Sequence, residues 1–181
     1  MKGWPRRRGD QSPEPPPAAS PSAPSPTAMI RWMIRRDMEE VLAIEQQSYP
    51  NPWSEEEFIR VLRRRNSIGM VFDDEDQVRG FVIYELHATR LQVLNFAVAA
   101  AFRRRGIGGA MVRKLVNKLT VNRRSRILVE VRESNLDAQL FFRAQGFRAA
   151  RVLSDLYDDS DEDAYLFQYR FRADQEEPEH G

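Results

Sequence analysis

The segment that most constrains this chain is Arg103–Gly109, a run of arginines and glycines between a strand pattern and a helix pattern. The residues before it, Leu91–Val98, form a largely apolar run typical of a β-strand. From the end of the segment onward, apolar residues recur at helical spacing. One apolar face is formed by Ile107, Met111, Leu115 and Leu119. Glycines at a helix start let a ligand approach the backbone closely, and the free N–H groups and the helix dipole favour a phosphate. The segment therefore predicts an anion-binding loop for a nucleotide-like cofactor.

The glycine pattern excludes two better-known phosphate-binding loops. The Gly-Lys-Ser/Thr ending of a P-loop is missing, and the glycine spacing does not match a dinucleotide-binding fingerprint. The remaining alternative is a glycine-containing helix start beside solvent-exposed arginines, without any ligand.

Composition narrows the function classes. With 181 residues and a net charge of +1, the chain suits one domain and has no overall attraction to nucleic acid or membrane. The absence of cysteine excludes disulfides, thiolate nucleophiles and cysteine metal sites, and two isolated histidines predict no metal site. No apolar run approaches the roughly 18 to 20 residues of a membrane span. We therefore expect a cytoplasmic protein with no membrane partner and no direct nucleic-acid binding.

Three regions of the chain differ in composition. Residues 1–28 are rich in proline, serine and alanine, which predicts a disordered or polyproline-like tail, with a rigid interaction arm as the alternative. Translation that starts at Met29 would remove this segment altogether. Residues 29–172 carry the strand and helix patterns of one domain, and residues 173–181 form a short acidic tail.

The domain alternates strand and helix patterns. Strands are predicted near Met29–Arg36, Ile68–Phe72, Val78–Glu85, Leu91–Val98, Ile127–Val131, Phe147–Leu153 and Ala164–Phe171. Helices are predicted at Asp37–Gln47, from Ser54 to about Arg64, from Gly106 onward and at Asn135–Gln145. Short turns favour antiparallel pairing of the early strands, and the later strand–helix–strand unit favours a parallel pair. These patterns predict an α/β (mixed α+β) fold, with a central mixed, mostly antiparallel sheet flanked by helices.

Two helix boundaries have specific local signals. Ser54 and Glu57 form a capping box, in which Ser54 caps the third helical N–H and Glu57 reaches back to the N-cap. Trp53 and Phe58 occupy the positions of a hydrophobic staple around it. Gly146 is expected to end the Asn135 helix in a left-handed conformation.

Glu130 lies inside the apolar run Ile127–Val131, which predicts a strand buried on both faces. A buried carboxylate is unfavourable unless it is paired or functional, and burial raises its pKa toward that of a general base near neutral pH. The structural alternative is a salt bridge with Arg132 or another arginine. The position of Glu130 near the carboxyl end of a sheet strand, after the anion-binding helix, favours a ligand site.

With these residues identified, nearly all of residues 29–172 resembles the GNAT acetyltransferases, and among them the RimI-type ribosomal-protein alanine N-acetyltransferases. The anchors of the resemblance are Asn51–Ser54, Leu94–Val98, Arg103–Gly109, Val129–Asn135, Gly146–Phe147 and Glu162–Ala164. Each motif is weak alone, but their order and spacing together are specific. The resemblance implies the GNAT fold, an acetyl-CoA-dependent N-acetyltransferase and, as acceptor, the N-terminal α-amine of a protein, with the N-terminal alanine of a ribosomal protein as the first candidate.

The resemblance also implies a role for individual residues. The cofactor-binding residues would be Phe96, Ala97, Val98, Arg103, Arg104, Arg105, Gly106, Ile107, Gly108, Gly109 and Asn135. The strand residues would border the pantetheine arm and thioester, with the Val98 amide polarising the thioester carbonyl, and the loop would hold the pyrophosphate. Asn135 would contact the cofactor near its sulfur. Glu130 would be the catalytic base, acting through water, so that the amine attacks acetyl-CoA directly without an acyl-enzyme.

One position departs from the family. The family's general acid is a tyrosine in the helix before Gly146–Phe147, and this chain has Phe142 there, which donates no proton. Three explanations are open. The CoA thiolate leaves without protonation, since a thiol pKa of about 8.5 makes it a tolerable leaving group. Otherwise Tyr157 or Tyr165 replaces the missing acid, or the enzyme is impaired. We favour the first explanation. Core packing on an amphipathic helix accounts for Phe141 and Phe142 by pattern alone.

The segment Asp155–Asp163 is densely acidic, as a solvated loop would be. In the resembled family this loop lies over the substrate peptide, and Tyr157 matches a tyrosine that helps to hold it. An acidic rim would attract a cationic N-terminus or a basic ribosomal protein. An α-amine has a pKa near 8, against about 10.4 for lysine, so a modest base such as Glu130 suffices for it at pH 7. A lysine or small-molecule amine as acceptor, or a degenerate acetyl-CoA-binding module, are the alternatives.

Two further arginine clusters, Arg63–Arg65 and Arg123–Arg124, are expected to cap helix C-termini, where cations suit the dipole. Contact with the ribosome or with RNA is the alternative interpretation.

Overall fold

The computed structural model describes residues 24–25, 27–120, 123–154 and 162–171. The strands are β1 Met29–Trp32, β2 Ser67–Asp74, β3 Gln77–Leu86, β4 Arg90–Val98, β5 Arg126–Arg132, β6 Arg148–Leu153 and β7 Ala164–Arg170. The helices are α1 Met38–Ser48, α2 Glu55–Leu62, α3 Ile107–Val116 and α4 Leu136–Ala144. Short 3-10 helices occupy Arg35–Asp37 and Ala100–Phe102.

The described strands form one seven-stranded sheet in the order β1-β2-β3-β4-β5-β7-β6. The pair β4–β5 is parallel and the other neighbouring pairs are antiparallel. The predicted mixed, mostly antiparallel sheet is therefore confirmed. The β4–β5 pair is parallel because the chain crosses over through α3 to reach β5.

The sheet separates two apolar cores. On one side, called here the α3 side, Met111 of α3 and Phe142 of α4 pack with sheet residues such as Val129. On the other, the α1 side, Val41 of α1 and Phe58 of α2 pack with the central strands. Helix α1 packs on β3 and β4, and α2 packs on β2. No residue of β5, β6 or β7 belongs to the core cluster on the α1 side.

The local helix signals hold in the structure. The Ser54 hydroxyl accepts from the Glu57 amide at 3.3 Å, and the Ser54 amide donates to Glu57 Oε2 at 2.8 Å, as in a capping box. These bonds hold the pKa of Glu57 below its ordinary value. The Trp53 and Phe58 rings meet edge to face at 5.3 Å. Gly146 has φ = 89°, which is the left-handed conformation expected after α4.

The first strand is shorter than predicted, because β1 ends at Trp32 rather than Arg36. The carboxylate of buried Asp37 accepts from the Ile34 amide at 2.8 Å and from both Nη atoms of Arg31 at 2.7 and 2.9 Å. These bonds fold Arg35–Asp37 into a 3-10 helix, which breaks the extended conformation.

The prediction that β5 is buried on both faces is wrong. Its residues alternate: Ile127, Val129 and Val131 are buried on the α3 side, whereas Glu130 is exposed. Leu128, which made the run look continuous, is half-buried and belongs to neither core cluster. The reason is tertiary, since α1 and α2 cover only the other half of the sheet on that side.

The predicted N-terminal tail lies mostly outside the described residues, as do residues 172–181. Its described end contacts the domain: the Ser25 amide donates to Asp74 Oδ1 at 3.2 Å, and the Ser25 hydroxyl donates to the same atom. Within the described ranges, no helix is long and apolar enough to cross a membrane.

Candidate active site

Strands β4 and β5 separate partway along their length. Their pairing runs from Arg90–Arg126 to Val93–Val129 and stops there, although both strands continue. A register shift in the β3–β4 pair at this point leaves Leu94 without a partner on β3. Such a bulge changes the face to which the following residues point and increases the local twist. The result is an opening in the centre of the sheet, between the end of β4 and the end of β5.

The edge of β4 that faces this opening carries backbone groups of Phe96 and Val98. Alternate residues of a strand direct their N–H and C=O groups to the same edge, and Ala97 is paired with Phe81 of β3. A side chain, and not a neighbouring strand, donates a hydrogen bond to this edge: Phe96 O accepts from the Tyr49 hydroxyl at 2.6 Å. This part of β4 therefore offers an edge to which an extended ligand can add as a strand does.

Helix α3 begins beside the opening, on the α3 side. Its N-cap, Gly106, has φ = 83°, and no side chain caps the helix. The N–H groups of Ile107, Gly108 and Gly109 occupy the first turn, where no intrahelical acceptor is available. Arg104 also has a positive φ, 63°, so the loop turns tightly into the helix. The helix start is thus suited to a phosphate or pyrophosphate group.

The three loop arginines, predicted as a group, have different partners. Arg103 Nε donates to Val98 O at 2.9 Å and Arg103 Nη2 to Ser48 Oγ at 3.2 Å, which ties the end of β4 to α1. Arg105 donates to Ala101 O at 2.8 Å and stacks over Phe102. Arg104 is exposed and has no hydrogen bond or ion pair within the described part of the chain. Of the three, Arg104 is the guanidinium available to an anion.

An aromatic cluster lines the α3 side of the opening. Phe96 contacts Phe141 and Phe142 with ring centroids 5.7 and 5.8 Å apart. Phe142 is 4% exposed, so the position of the family's tyrosine acid is part of the core here. A Cβ added to Gly108 would lie 3.0 Å from the Phe141 ring. The cluster therefore also fixes the first turn of α3.

Glu130 is the first residue of β5 beyond the last β4–β5 pair, and it points to the α1 side of the sheet. The alternative, a salt bridge of Glu130 with Arg132 or another arginine, is not formed among the described residues; Arg132 instead pairs with Glu162 at 3.4 Å. Glu130 keeps contact with solvent, yet the surrounding strands desolvate its carboxyl group and raise its pKa above the ordinary 4.5. A raised pKa suits a general base. The shift arises from partial desolvation of the Glu130 carboxyl group rather than from its full burial.

A buried polar network on the α1 side was not anticipated. Glu45, 1% exposed, accepts from the Trp53 amide at 2.9 Å and from Asn95 Nδ2 at 3.0 Å. Burial raises the pKa of Glu45, and these two hydrogen bonds oppose the rise. The network joins α1, the loop before α2 and β4 next to the opening. Helical spacing from Val41 places Glu45 on the apolar face of α1, and that was the available sequence signal.

The other predicted residues have mixed outcomes. Asn135 is the N-cap of α4, and its Oδ1 accepts from the Ala138 amide at 3.1 Å. Tyr157 lies outside the described residues.

Tyr165 donates to Glu133 at 3.3 Å, and the charge of Glu133 raises the pKa of Tyr165, which makes it a poorer proton donor. The described residues contain no cluster of metal-ligating side chains.

Comparison with known proteins defines the class of this fold and site. The profile of the acetyltransferase (GNAT) family matches residues 38–147, and the chain belongs to this family. It is a GNAT N-acetyltransferase, a member of a family that uses acetyl-CoA.

Among individual proteins, the chain is similar to the ribosomal protein bS18-alanine N-acetyltransferases of Haemophilus ducreyi and Escherichia coli. It is 26% identical to them over 129 and 132 residues, which cover 71% and 72% of this chain and 88% of each relative.

Solved structures agree on the fold. The Escherichia coli ribosomal-protein-S18-alanine N-acetyltransferase has a TM-score of 0.71 at 23% identity, covering 83% of this chain and 99% of that one. Ard1 of Thermoplasma volcanium has a TM-score of 0.72 at 26% identity, covering 80% and 98%. Arabidopsis thaliana NAA60, solved in complex with acetyl-CoA, has a TM-score of 0.70 at 20% identity, covering 80% and 100%.

Proposed function

We propose that this enzyme transfers the acetyl group of acetyl-CoA to the N-terminal α-amine of a protein, with Glu130 as general base. The observation that carries the proposal is the position of Glu130 immediately past the point where β4 and β5 separate, on the side of the sheet opposite the α3 N-terminus. Donor and acceptor can then approach the opening from opposite sides, without competing for the same space.

The α3 side has the features that the donor needs. The uncapped first turn of α3 and the free guanidinium of Arg104 suit the pyrophosphate of acetyl-CoA. The open edge of Phe96–Val98 suits the pantetheine arm as an added strand, and the Val98 N–H suits the thioester oxygen as its negative charge grows. Asn135 fits less well with the expected contact near the sulfur of the cofactor, because its side-chain oxygen already caps α4.

The α1 side has the features that the acceptor needs. The carboxylate of Glu130 removes a proton from the ammonium group through a water molecule, and the free amine nitrogen then attacks the thioester carbon. A carbon–nitrogen bond forms as the carbon–sulfur bond breaks, CoA leaves as the thiolate, and the second proton of the attacking nitrogen passes through water to the thiolate or to the solvent. With phenylalanine at 142, no tyrosine in that helix protonates the sulfur, and a thiol pKa of about 8.5 allows departure without one.

Two arguments favour an α-amine over a lysine as acceptor. An α-amine has a pKa near 8, so Glu130, whose pKa desolvation raises above its ordinary value, is a sufficient base for it at pH 7. Relatives of this chain are named for an alanine of a ribosomal protein, which makes a ribosomal protein with N-terminal alanine the first acceptor to test.

The test uses purified protein, acetyl-CoA and two peptides, one with a free N-terminal alanine and no lysine, the other N-terminally blocked with one free lysine. CoA release is followed with the wild type, with Glu130→Gln, and with Glu133→Gln as a matched control three residues along the chain. Release with the first peptide only, lost in Glu130→Gln and kept in Glu133→Gln, supports the proposal. Release with the lysine peptide alone would replace the α-amine by a side-chain amine.

A second candidate function is a module that binds acetyl-CoA without turnover. The observation that favours it is the burial of Phe142 in the aromatic cluster, where the family has its acid. Tight acetyl-CoA binding without CoA release on either peptide would support this candidate.

A further inference from the structure

Arginines are concentrated at the end of the sheet opposite the opening. There β2, β4, β5 and β6 begin and β7 ends. The arginines at this end are Arg63, Arg64, Arg65, Arg90, Arg123, Arg124, Arg126, Arg148 and Arg170. The net charge of +1 for the whole chain concealed this concentration, because acidic residues elsewhere in the sequence, such as those of the segment 155–163, balance the arginines in the sum.

Three of these arginines form a row across neighbouring strands. Arg90 of β4 is in register with Arg126 of β5, which is in register with Arg170 of β7. Neighbouring strands lie about 4.8 Å apart, so the row spans roughly 10 Å. Residues in register point to the same face, and here it is the α1 side, since Ile127 is buried on the other. Like charges directly opposite one another destabilise a sheet.

No acidic side chain neutralises this row within the described ranges. Arg90, Arg126 and Arg170 have no ion pair or side-chain hydrogen bond there, and Arg90 Nε is buried without any partner. The nearby carboxylate of Glu85 is already paired with Arg64 at 2.9 Å. Three unpaired guanidinium groups in one row are therefore available to an anionic partner.

Among the described residues, no helix covers the part of this face that β5, β7 and β6 form. Helices α1 and α2 pack on β2, β3 and β4, and the face of β5, β7 and β6 on that side belongs to no core cluster. Register extends the basic surface outward, with Arg148 opposite Gln168 and Arg151 opposite Leu166. Glu130 lies on the same face, four residues from Arg126, which corresponds to about 13 Å along the strand.

We infer that this arginine face, Arg90, Arg126, Arg170, Arg148 and Arg151, binds the phosphate backbone of RNA. One guanidinium group can bind two oxygens of a phosphate at once. A row of such groups therefore suits successive phosphates of one RNA strand. The described strand residues of this face include no aromatic side chain on which a base could stack, so we expect contact with the phosphate backbone that is independent of base sequence.

The choice of RNA over DNA rests on the proposed function, because an acceptor that is a ribosomal protein occurs together with RNA. The position of the arginine face beside Glu130 would let the enzyme hold the RNA while it modifies a protein terminus next to it. A short acidic peptide fits less well, since further arginines, Arg63–Arg65 and Arg123, come just before β2 and β5 at the same end of the sheet and widen the basic region beyond the row.

The test measures binding of the full chain to a fluorescent RNA hairpin by anisotropy, between 50 and 300 mM salt, without acetyl-CoA or acceptor. The variant is Arg126→Gln/Arg170→Gln. The control is Arg113→Gln/Lys114→Gln, which removes the same charge from exposed positions of α3 on the opposite side of the sheet. Thermal unfolding of each variant shows whether it is folded.

We expect the wild type and control to bind with affinity that falls steeply with salt. The face variant should bind on the order of tenfold more weakly at 0.1 M salt, and its log–log salt slope should be smaller by about two. Arg126→Lys/Arg170→Lys should keep most of the slope, because it keeps the charge. Two hairpins of unrelated sequence should bind alike.

Equal weakening in the control variant, or no binding of RNA by the wild type at 50 mM salt, would overturn the inference. Tighter binding to a DNA hairpin, or equal competition by a glutamate-rich peptide, would overturn RNA as the partner. Because the assay needs no turnover, its result is independent of the peptide test for α-amine acetylation, and either proposal can fail alone.

Discussion

The hydroxyl of Tyr49, at the end of α1, donates a hydrogen bond of 2.6 Å to the carbonyl oxygen of Phe96 on the open edge of β4. This bond connects the acceptor side of the opening with the strand that is expected to hold the donor. It fixes the backbone two residues before Val98, whose amide we propose as the donor to the thioester oxygen.

Tyr49→Phe should therefore lower kcat/KM for an N-terminal peptide by about tenfold, while the free energy of unfolding falls by only about 1 kcal/mol, the net value of one hydrogen bond. Tyr84→Phe is the matched control, since its hydroxyl has only a weak contact with Met70 Sδ at 3.7 Å in the core. Steady-state kinetics and urea unfolding of both variants provide the test. Equal activities of the two variants would show that the Tyr49 bond is only structural.

The pH dependence of the reaction should show Glu130 directly. Partial desolvation by the surrounding strands raises the pKa of Glu130 above 4.5. The base must be ionised, so its contribution is present above this raised pKa and is lost as pH falls through it. The acceptor amine, with a pKa near 8, binds as the ammonium form and gives its proton to Glu130. Below the pKa of Glu130, log kcat/KM of the wild type should therefore fall with a slope of one, and between this pKa and that of the amine it should be level.

Glu130→Gln must use the amine that is already neutral in solution, so its log kcat/KM should have no level region and should rise with a slope of one up to the pKa of the amine. Its kcat at pH 7 should be lower by about a hundredfold, the usual contribution of general-base catalysis. Acetyl-CoA binding, measured by calorimetry, should be nearly unchanged. An unaltered pH profile in the variant would remove Glu130 as the base.

Local sequence signals predicted most of the fold. Helix and strand order, the Ser54 capping box and the left-handed Gly146 follow from interactions within a few residues, and the structure has them all. The burial of Glu130 was predicted wrongly, because the run Ile127–Val131 does not reveal which half of the sheet the helices cover.

The sequence predicted the backbone conformation of the site better than the contacts of its side chains. Glycine spacing located the start of α3, since only the local backbone conformation matters there. The different partners of Arg103, Arg104 and Arg105 depend on residues distant in sequence, such as Ser48. The contact of Glu45 with Asn95 spans 50 residues, and a single sequence has no signal for such a pair.

The first turn of α3 offers a comparison between two adjacent glycines. A Cβ on Gly108 would lie 3.0 Å from the Phe141 ring, whereas on Gly109 the nearest atoms, of Arg113 and Gln145, are 3.4 Å away. Alanine in a helix is more favourable than glycine by about 0.5–1 kcal/mol. Gly109→Ala should therefore raise the melting temperature.

Gly108→Ala should lose that gain, because Phe141 must move, and should weaken acetyl-CoA binding as the first turn shifts. Differential scanning calorimetry and isothermal titration give both quantities. If both variants bound acetyl-CoA as the wild type does and were equally stabilised, the contact of Phe141 with Gly108 would have no role in the site.

The buried carboxylate of Glu45 should make stability depend on pH. Burial raises the pKa of Glu45 above 4.5, so its favourable contribution is fully present below about pH 4.5 and is lost as pH rises through the higher folded-state value. Relative to Glu45→Gln, the wild type should be most stable at pH 4.5 and lose this advantage toward pH 8. Urea unfolding across this range measures the difference, and a difference independent of pH would contradict the assignment.

Replacing Glu45 by alanine should be more damaging at every pH. The Trp53 amide and the Asn95 side chain would lose their acceptor, and each unsatisfied buried donor costs about 1–3 kcal/mol. The loop before α2 should then loosen, so that KM for the acceptor peptide rises while the dissociation constant of acetyl-CoA stays near that of the wild type.

Phe142→Tyr tests whether the reaction needs a proton donor at the family's position. Phe142 packs against Phe141 and Phe147 with ring centroids 5.1 and 5.2 Å apart, so a new hydroxyl must be desolvated. Burying it should cost about 1–3 kcal/mol of stability. Because the CoA thiolate is a tolerable leaving group, kcat should change by no more than a few fold.

Phe147→Tyr, in the same aromatic cluster and 1% exposed, is the matched control for the stability loss. A kcat of Phe142→Tyr more than tenfold above the wild type, without such a gain in Phe147→Tyr, would mean that protonation of the sulfur limits the natural enzyme. A kcat near that of the wild type would show that departure of the thiolate does not limit the reaction, so that no proton donor is needed at position 142.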